Sequence, residues 1–359
     1  MTRRKVYAAI FAVLVTGFAV AASFNYRGET AAAAPLSPSP ATELLAMLPA
    51  SDAIVFVDTR RALNEVMPHI FTDATMLGRV NQEIDKFREH TGTDARSIDS
   101  IAVSARFGKK STTNPEFVAG LVRGRFTASE AIASGLAKAK AEAEAKKRAF
   151  SVTEQQYEGT TIYEVERSGG FCMAAIDSNT IAFGDLSGIK AMIDVRAGGG
   201  ARVDSSLVEL ATLNASAVAG FAANVPASAA KEIAGSNELG EAFNSIRQIY
   251  GSADANGSMG ALNVTLRSES GERAQALAEK LGSLKQLASF YFSRAASQQS
   301  SAQTGTLSAG PVNGTQVRLR DLTPFAKWIK DVTITAEGND VRIRLEEPLA
   351  DMASIICGR

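Results

Sequence analysis

The feature that most restricts this chain lies at its amino terminus. Arg3, Arg4 and Lys5 precede an uncharged apolar run from Val6 to Ala22, the basic n-region and hydrophobic core of a secretory signal. The run is nearly as long as the roughly 20 residues that cross a bilayer. A retained anchor therefore competes with a signal cleaved near Val20-Ala21-Ala22-Ser23. If retained, the positive residues keep the amino terminus cytoplasmic and set the rest of the chain outside the inner membrane. Residues 1–27 are thus read as signal peptide or membrane anchor, outside the fold. Residues 28–42, rich in Ala, Pro and Ser and carrying Pro35, Pro38 and Pro40, read as an extended, solvated spacer. Everything after it is expected in the periplasm or another exported compartment, touching the membrane only through the amino-terminal segment.

The 359 residues are 45% hydrophobic and 21% charged, enough for two domain-sized cores. Lys plus Arg equal Asp plus Glu at 38 each, so no charge excess exists to attract nucleic acid. The two cysteines, Cys172 and Cys357, are far apart, and no Cys/His cluster has metal-ligand spacing. Export permits a Cys172–Cys357 bridge, provided the Cα atoms come within roughly 7 Å. The alternative is that Cys172, inside Phe171-Cys172-Met173-Ala174-Ala175-Ile176, is a small buried hydrophobe and Cys357 is free.

Past the spacer, short β-rich runs alternate with amphipathic helices. Asp52–Asp58 reads as a buried strand, with Thr59 as cap of a helix through Leu63 and Val66. A polar helix around Val80–His90 precedes two strands, Ile98–Phe107 and Phe117–Phe126. Thr127-Ala128-Ser129-Glu130 has capping-box spacing for a long helix, whose Lys138–Arg148 end is charged enough to project into water. Thr160–Glu166, Phe171–Ile176 and Thr180–Phe183 read as a meander, and Asp185 as cap of a helix stopped by Gly198-Gly199-Gly200.

The second half opens similarly. Ala217–Ala223 reads as a strand, followed by a helical stretch from Pro226 toward Tyr250. Asn256-Gly257 is a hairpin signal before the alternating Met259–Arg267, and a long helix covers Gly271–Ala296. Strands at Gln316–Leu319, Val332–Ala336 and Val341–Leu345 follow, with a helix opened by Thr323-Pro324 between the first two and another after Pro348. The expected architecture is α+β. Two similar α/β-sandwich halves, 43–197 and 205–359, flank a Gly-rich linker at 198–204. Each has an antiparallel or mixed sheet with helices on one face, in a ferredoxin-like variant.

Catalytic machinery is hard to assemble from these residues. No G-x-S-x-G elbow exists, and the histidines, His69 and His90, have structural explanations as packing and as helix C-terminal charge. No phosphate loop surrounds Gly198, so no nucleotide cofactor is implied, nor is any other cofactor or metal. Asp254-Ala255-Asn256-Gly257 resembles part of a calcium loop, but Asn263 stands where the closing acid belongs. Asp52, Asp58, Asp94 and Asp99 sit at element ends, where carboxylates serve as caps or, in an alternative reading, as the acid and base of an envelope hydrolase.

Binding is better supported than turnover. Phe290, Tyr291 and Phe292 on the long second helix, together with the sole tryptophan, Trp328, are candidates to line a groove for a lipid-like ligand or a protein partner. Their other expected role is core packing. Arg60 and Arg61 are candidate anion ligands or simply a solvated helical turn. The stretch Leu48-Pro49-Ala50-Ser51-Asp52-Ala53-Ile54-Val55-Phe56-Val57-Asp58-Thr59-Arg60-Arg61, with Val80-Asn81 and Ser97-Ile98-Asp99 downstream, resembles uncharacterised exported proteins of environmental bacteria, a domain of unknown function. The resemblance implies a bacterial cell-envelope address and no activity. The sequence thus reads as a cell-envelope binding or scaffold module that is not an enzyme.

Overall fold

The computed structural model describes residues 39–108, 111–166, 170–226, 243–299 and 328–351, without the side chains of 111–114 and 291–299. The signal or anchor, most of the spacer, the strand expected at Gln316–Leu319, the helix start at Thr323-Pro324 and residues 227–242 lie outside that description.

The chain runs α1 (Pro40–Leu45), β1 (Ala53–Asp58), α2 (Thr59–Arg61), a π-helical turn (Ala62–Val66), α3 (Met67–Ile70), α4 (Ala74–Thr91), β2 (Ile98–Gly108), β3 (Ser111–Gly124) and α5 (Ala128–Ala145). The meander β4 (Val152–Tyr157), β5 (Thr160–Val165), β6 (Phe171–Asp177) and β7 (Thr180–Asp185) leads into α6 (Leu186–Ala197) and α7 (Ser205–Ala211). Then come β8 (Ala219–Asn224), β9 (Ile246–Asn256), β10 (Met259–Ser268), α8 (Gly271–Gln299), β11 (Thr333–Glu337) and β12 (Asp340–Pro348).

The described strands form one sheet, ordered β11-β12-β10-β9-β8-β1-β2-β3-β7-β6-β5-β4, with antiparallel pairing throughout. The fold is α+β with a large antiparallel sheet. The ferredoxin-like split is not formed, because β1 lies directly beside β2, and β2 beside β3. Nor are there two separate sheets. β1 and β8 pair from Ala53↔Ala223 to Val57↔Ala219, so each satisfies the backbone groups that the other would otherwise leave at an edge.

Local chemistry explains several element ends. Asp58, not Thr59, caps the first helix, its carboxylate accepting the Arg61 N–H at 2.9 Å. Pro68 lies two residues past the end of the π-helical turn. It has no N–H to offer the Asn64 carbonyl four residues back, so the helical ladder is interrupted there. Thr127 holds the N-cap position of α5 without a side-chain cap bond. Asp185, at the corresponding position of α6, instead accepts the Val118 N–H at 2.7 Å. Residues 246–250, expected as helix, belong to strand β9, where Ile246 and Tyr250 are buried.

Strand alternation sorts side chains onto two faces. On one face Ile54, Phe56, Ala102, Leu121, Ala174 and Ala182 pack beneath α1, α6 and α7, which contribute Leu44, Leu45, Ile189, Met192, Leu207 and Val208. This core draws on both sides of the glycine run at 198–200. A second cluster gathers Val66, Ile70 and Phe71 against Val218, Ala253 and Leu349. A third seats α8 through Ala274 and Leu277 on Ile246, Leu266 and Val341.

Polar contacts fasten the junction at β1 and β8. The Arg61 guanidinium donates to the Ser216 carbonyl, to Glu65 at 2.8 Å and to Asp254 at 3.4 Å. Asp254, 4% exposed, also accepts the Ser216 hydroxyl at 3.0 Å. Arg61 is therefore a tie between the halves rather than a solvated turn. Further out, Arg267 grips Asp340 with two bonds, at 2.8 and 3.0 Å, and Tyr250 donates to the same carboxylate at 2.9 Å. The arginine bonds hold the Asp340 carboxyl below its usual range. That stabilisation is complete above the ordinary carboxylate pKa and is lost as pH falls through the lowered one.

Gly220 shows how closely α7 lies on the sheet: a Cβ there would sit 1.9 Å from the Ala211 carbonyl oxygen, a backbone atom. Replacing Gly220 with Ala should cost about 1–3 kcal/mol by forcing α7 off the strands, measured by denaturant unfolding. A neutral effect would contradict this packing.

Candidate functional site

The opposite face of the first-half strands is covered differently. Along Phe171–Ala174 of β6 and Ile181–Gly184 of β7 its residues are large, Phe171, Met173, Ile181 and Phe183, whereas the buried face carries Cys172, Ala174, Ala182 and Gly184. The small set, at 0% exposure for Cys172, Ala174 and Ala182, lets α6 approach closely. The large set stays half-buried, because the helices above do not close down on it.

Those helices are α4 and α5. Ile132, Gly135, Leu136, Ala139 and Ala143 recur along α5 at helical spacing and face the sheet. The charged end of α5, expected to project into water, therefore does so on one side only, and Ala143 is 1% exposed. α4 braces α5 at its own C-terminus. Gly92 ends α4 with φ +78, and a Cβ there would meet the Ser134 hydroxyl at 2.1 Å. Lys138 donates to the Arg88 and Glu89 carbonyls at 3.2 and 2.9 Å, in the last turn of α4, where the Arg88 carbonyl also accepts the Gly92 N–H at 2.8 Å.

Between α5 and the sheet lies a cleft of about 670 Å³, within the roughly 300–1,000 Å³ range of small-molecule sites. Val122, Phe171, Met173, Ile181 and Phe183 make its floor, and Phe87, Phe126 and Phe150 line its margins. The Phe171 and Phe183 rings lie 6.4 Å apart at 31°. The Phe183 ring lies over Gly120, where a Cβ would come within 2.4 Å of it. Polar groups are confined to His90, Thr91, Thr93, Glu142 and Arg148. An apolar surface left facing water forfeits about 25 cal/mol per Å² relative to burial, so an apolar occupant is the natural complement of this cleft.

The residues singled out from sequence lie elsewhere. Phe290 is 60% exposed on α8, while Tyr291 and Phe292 have side chains outside the described set. Trp328 packs against the second core cluster. Neither Phe290 nor Trp328 lines the cleft. His69, expected to pack, is exposed on α3. His90 is exposed with Nδ1 2.7 Å from the Lys86 carbonyl, and it reaches the cleft margin. The four aspartates serve local structure. Asp52 accepts the Phe107 N–H at 2.8 Å, Asp58 and Asp94 cap helical turns, and Asp99 pairs with Arg125 at 3.2 Å. No group of three His, Cys, Asp or Glu among the described residues is placed to hold a metal. The sequence signal that could have revealed the cleft is the large-versus-small alternation within β6 and β7.

No family model matches the chain, and no curated protein matches it. Among solved structures, crystal form III of TP0453 aligns with a TM-score of 0.43 at 10% identity, covering 91% of this chain and 100% of that one. Crystal form I of TP0453 aligns at 0.40 and 9%, covering 90% and 97%. Similarity that distant assigns no activity.

Cys172 is a free thiol at 0% exposure within the main core. Cys357 lies outside the described residues. Burial first, then the nearby Glu164 and Asp185 carboxylates, push the Cys172 thiol up to about 11. At pH 8 its thiolate fraction is about 10⁻³, against about 0.2 for an ordinary cysteine. Iodoacetamide at pH 8, with peptide mapping, should leave Cys172 unmodified in the folded protein and alkylate it in denaturant. Labelling at the rate of an exposed cysteine would contradict the packing.

Proposed function

We propose that this chain is an exported cell-envelope protein that binds an apolar, lipid-like ligand in the cleft between α5 and the sheet, without turning it over. The observation that carries this reading is the cleft itself: an aromatic and aliphatic lining with polar groups restricted to its edge. The aspartates needed by the carboxylate-pair hydrolase are bonded to backbone, to caps or to Arg125, which favours binding over hydrolysis.

In this reading residues 1–27 deliver or anchor the protein, 28–42 act as a stalk, and the functional portion is two related α+β halves, 43–197 and 205–359, joined by 198–204. Strand order supports the relation. In the first half β1, β2 and β3 lie side by side, a long helix follows β3, and β7, the final strand, returns beside β3. In the second, β8, β9 and β10 lie side by side, a long helix follows β10, and β12 returns beside β10. The halves meet at their leading strands.

A second reading, docking of an envelope protein, is favoured by one observation: Leu284, Leu287 and Phe290 are 40%, 52% and 60% exposed on α8. Such a strip suits a helix-in-groove or helix-pair contact.

The neutral probe N-phenyl-1-naphthylamine discriminates between these readings. It should bind the purified, delipidated protein saturably with enhanced fluorescence. Ala139→Trp, which fills the cleft from α5, should reduce that binding at least tenfold with little change in Tm. Phe290→Asp should leave it intact. Absence of saturable binding, or loss on Phe290→Asp alone, would contradict the cleft as the site.

A further inference from the structure

The margin of the cleft carries one charge whose placement is unusual. α5 ends in a two-bond wrap in which the Lys147 N–H donates to the Glu144 carbonyl at 3.0 Å and the Arg148 N–H to the Ala143 carbonyl at 2.8 Å. This is the Schellman pattern, which places its turning residue in the left-handed region. That residue is Lys147, at φ +49, where glycine is usual and an L side chain costs roughly 1–2 kcal/mol. The wrap reverses the chain and lays Arg148 and Phe150 against the cleft. Next to the turn this motif commonly carries a hydrophobic residue packed on the last helical turn; here Arg148 occupies the position.

The other charged or titratable groups at the cleft make local contacts. Glu142 is paired with Lys146, and His90 uses Nδ1 on the Lys86 carbonyl. The Arg148 side chain has no hydrogen-bond or ion-pair partner among the described residues. A guanidinium with uncommitted donors beside a cleft floored by Phe171, Met173 and Phe183 presents the two halves of an amphiphile site, a forked anion ligand and an apolar trough.

Building on the cleft reading, we infer that the ligand is a single-chain amphiphile with an anionic head, its acyl tail under α5 and its carboxylate or phosphate on Arg148. The bent backbone at Lys147 is what brings the cation to the apolar trough. A residue at the same point of an uninterrupted helix would continue along the helix axis instead.

Displacement of N-phenyl-1-naphthylamine from the purified, delipidated protein tests this with three probes of equal chain length: hexadecanoate, hexadecyl phosphate and 1-hexadecanol. The wild-type protein should release the probe at a tenfold or lower concentration of at least one anion than of the alcohol. Arg148→Gln should bring that anion and the alcohol within about twofold, while Arg148→Lys retains part of the preference. Hexadecanoate preferred over hexadecyl phosphate identifies a fatty-acid site, and the reverse order a phosphorylated head; either supports the inference. Equal displacement by all three, or an anion preference that survives Arg148→Gln, overturns the anionic-head inference while leaving the apolar cleft standing. If the probe itself never binds, the cleft reading fails and this inference with it.

Discussion

The pairing of β1 with β8 organises the rest of the molecule. Each strand leads its half and would otherwise expose a row of backbone donors and acceptors. Joined from Ala53↔Ala223 to Val57↔Ala219, they make one continuous sheet of the described strands. The fusion lets a single core run under α1, α6 and α7, and side chains reinforce it: Arg61 reaches across to Ser216 and Asp254.

Unequal use of the two sheet faces produces the cleft. Small residues at Cys172, Ala174, Ala182 and Gly184 let α6 down onto the strands on the core side, and on the other side α5 does not close down on the large ones. α5 is in turn fixed by α4 through Gly92, Ser134 and Lys138, so the gap is built between two braced elements. Pre-formed sites avoid much of the ordering cost of binding. In the proposed reading the apolar floor would supply affinity for a hydrocarbon, and the charge at Arg148 direction.

Much of this was legible in the sequence. The strand at Asp52–Asp58, the meander from Thr160 to Phe183, the hairpin at Asn256-Gly257 and both long helices are found where local pattern puts them, because each has period, caps or turn residues that agree. β4 was not legible, since Val152–Tyr157 is a polar edge strand whose position depends on β5. The start of β9 reads as helix, because Ile246 and Tyr250 fit helical spacing as well as strand burial and only pairing with β8 decides between them. The cleft was hidden for a different reason. Its residues run from Phe87 to Phe183, none in a motif, and Arg148 belongs to a run of charges that reads as solvated until the turn at Lys147 is seen. Phe290 and Trp328 are aromatic, which says little about where a side chain faces.

The most direct measurement of the central claim is native mass spectrometry of the protein recovered from cell envelopes without detergent. The account predicts a reproducible added mass of single-chain lipid size on the wild-type protein and on Phe290→Asp, and its absence from Ala139→Trp. A bare protein in every case, or an added mass that persists when Ala139 is replaced by Trp, would contradict a ligand site beneath α5.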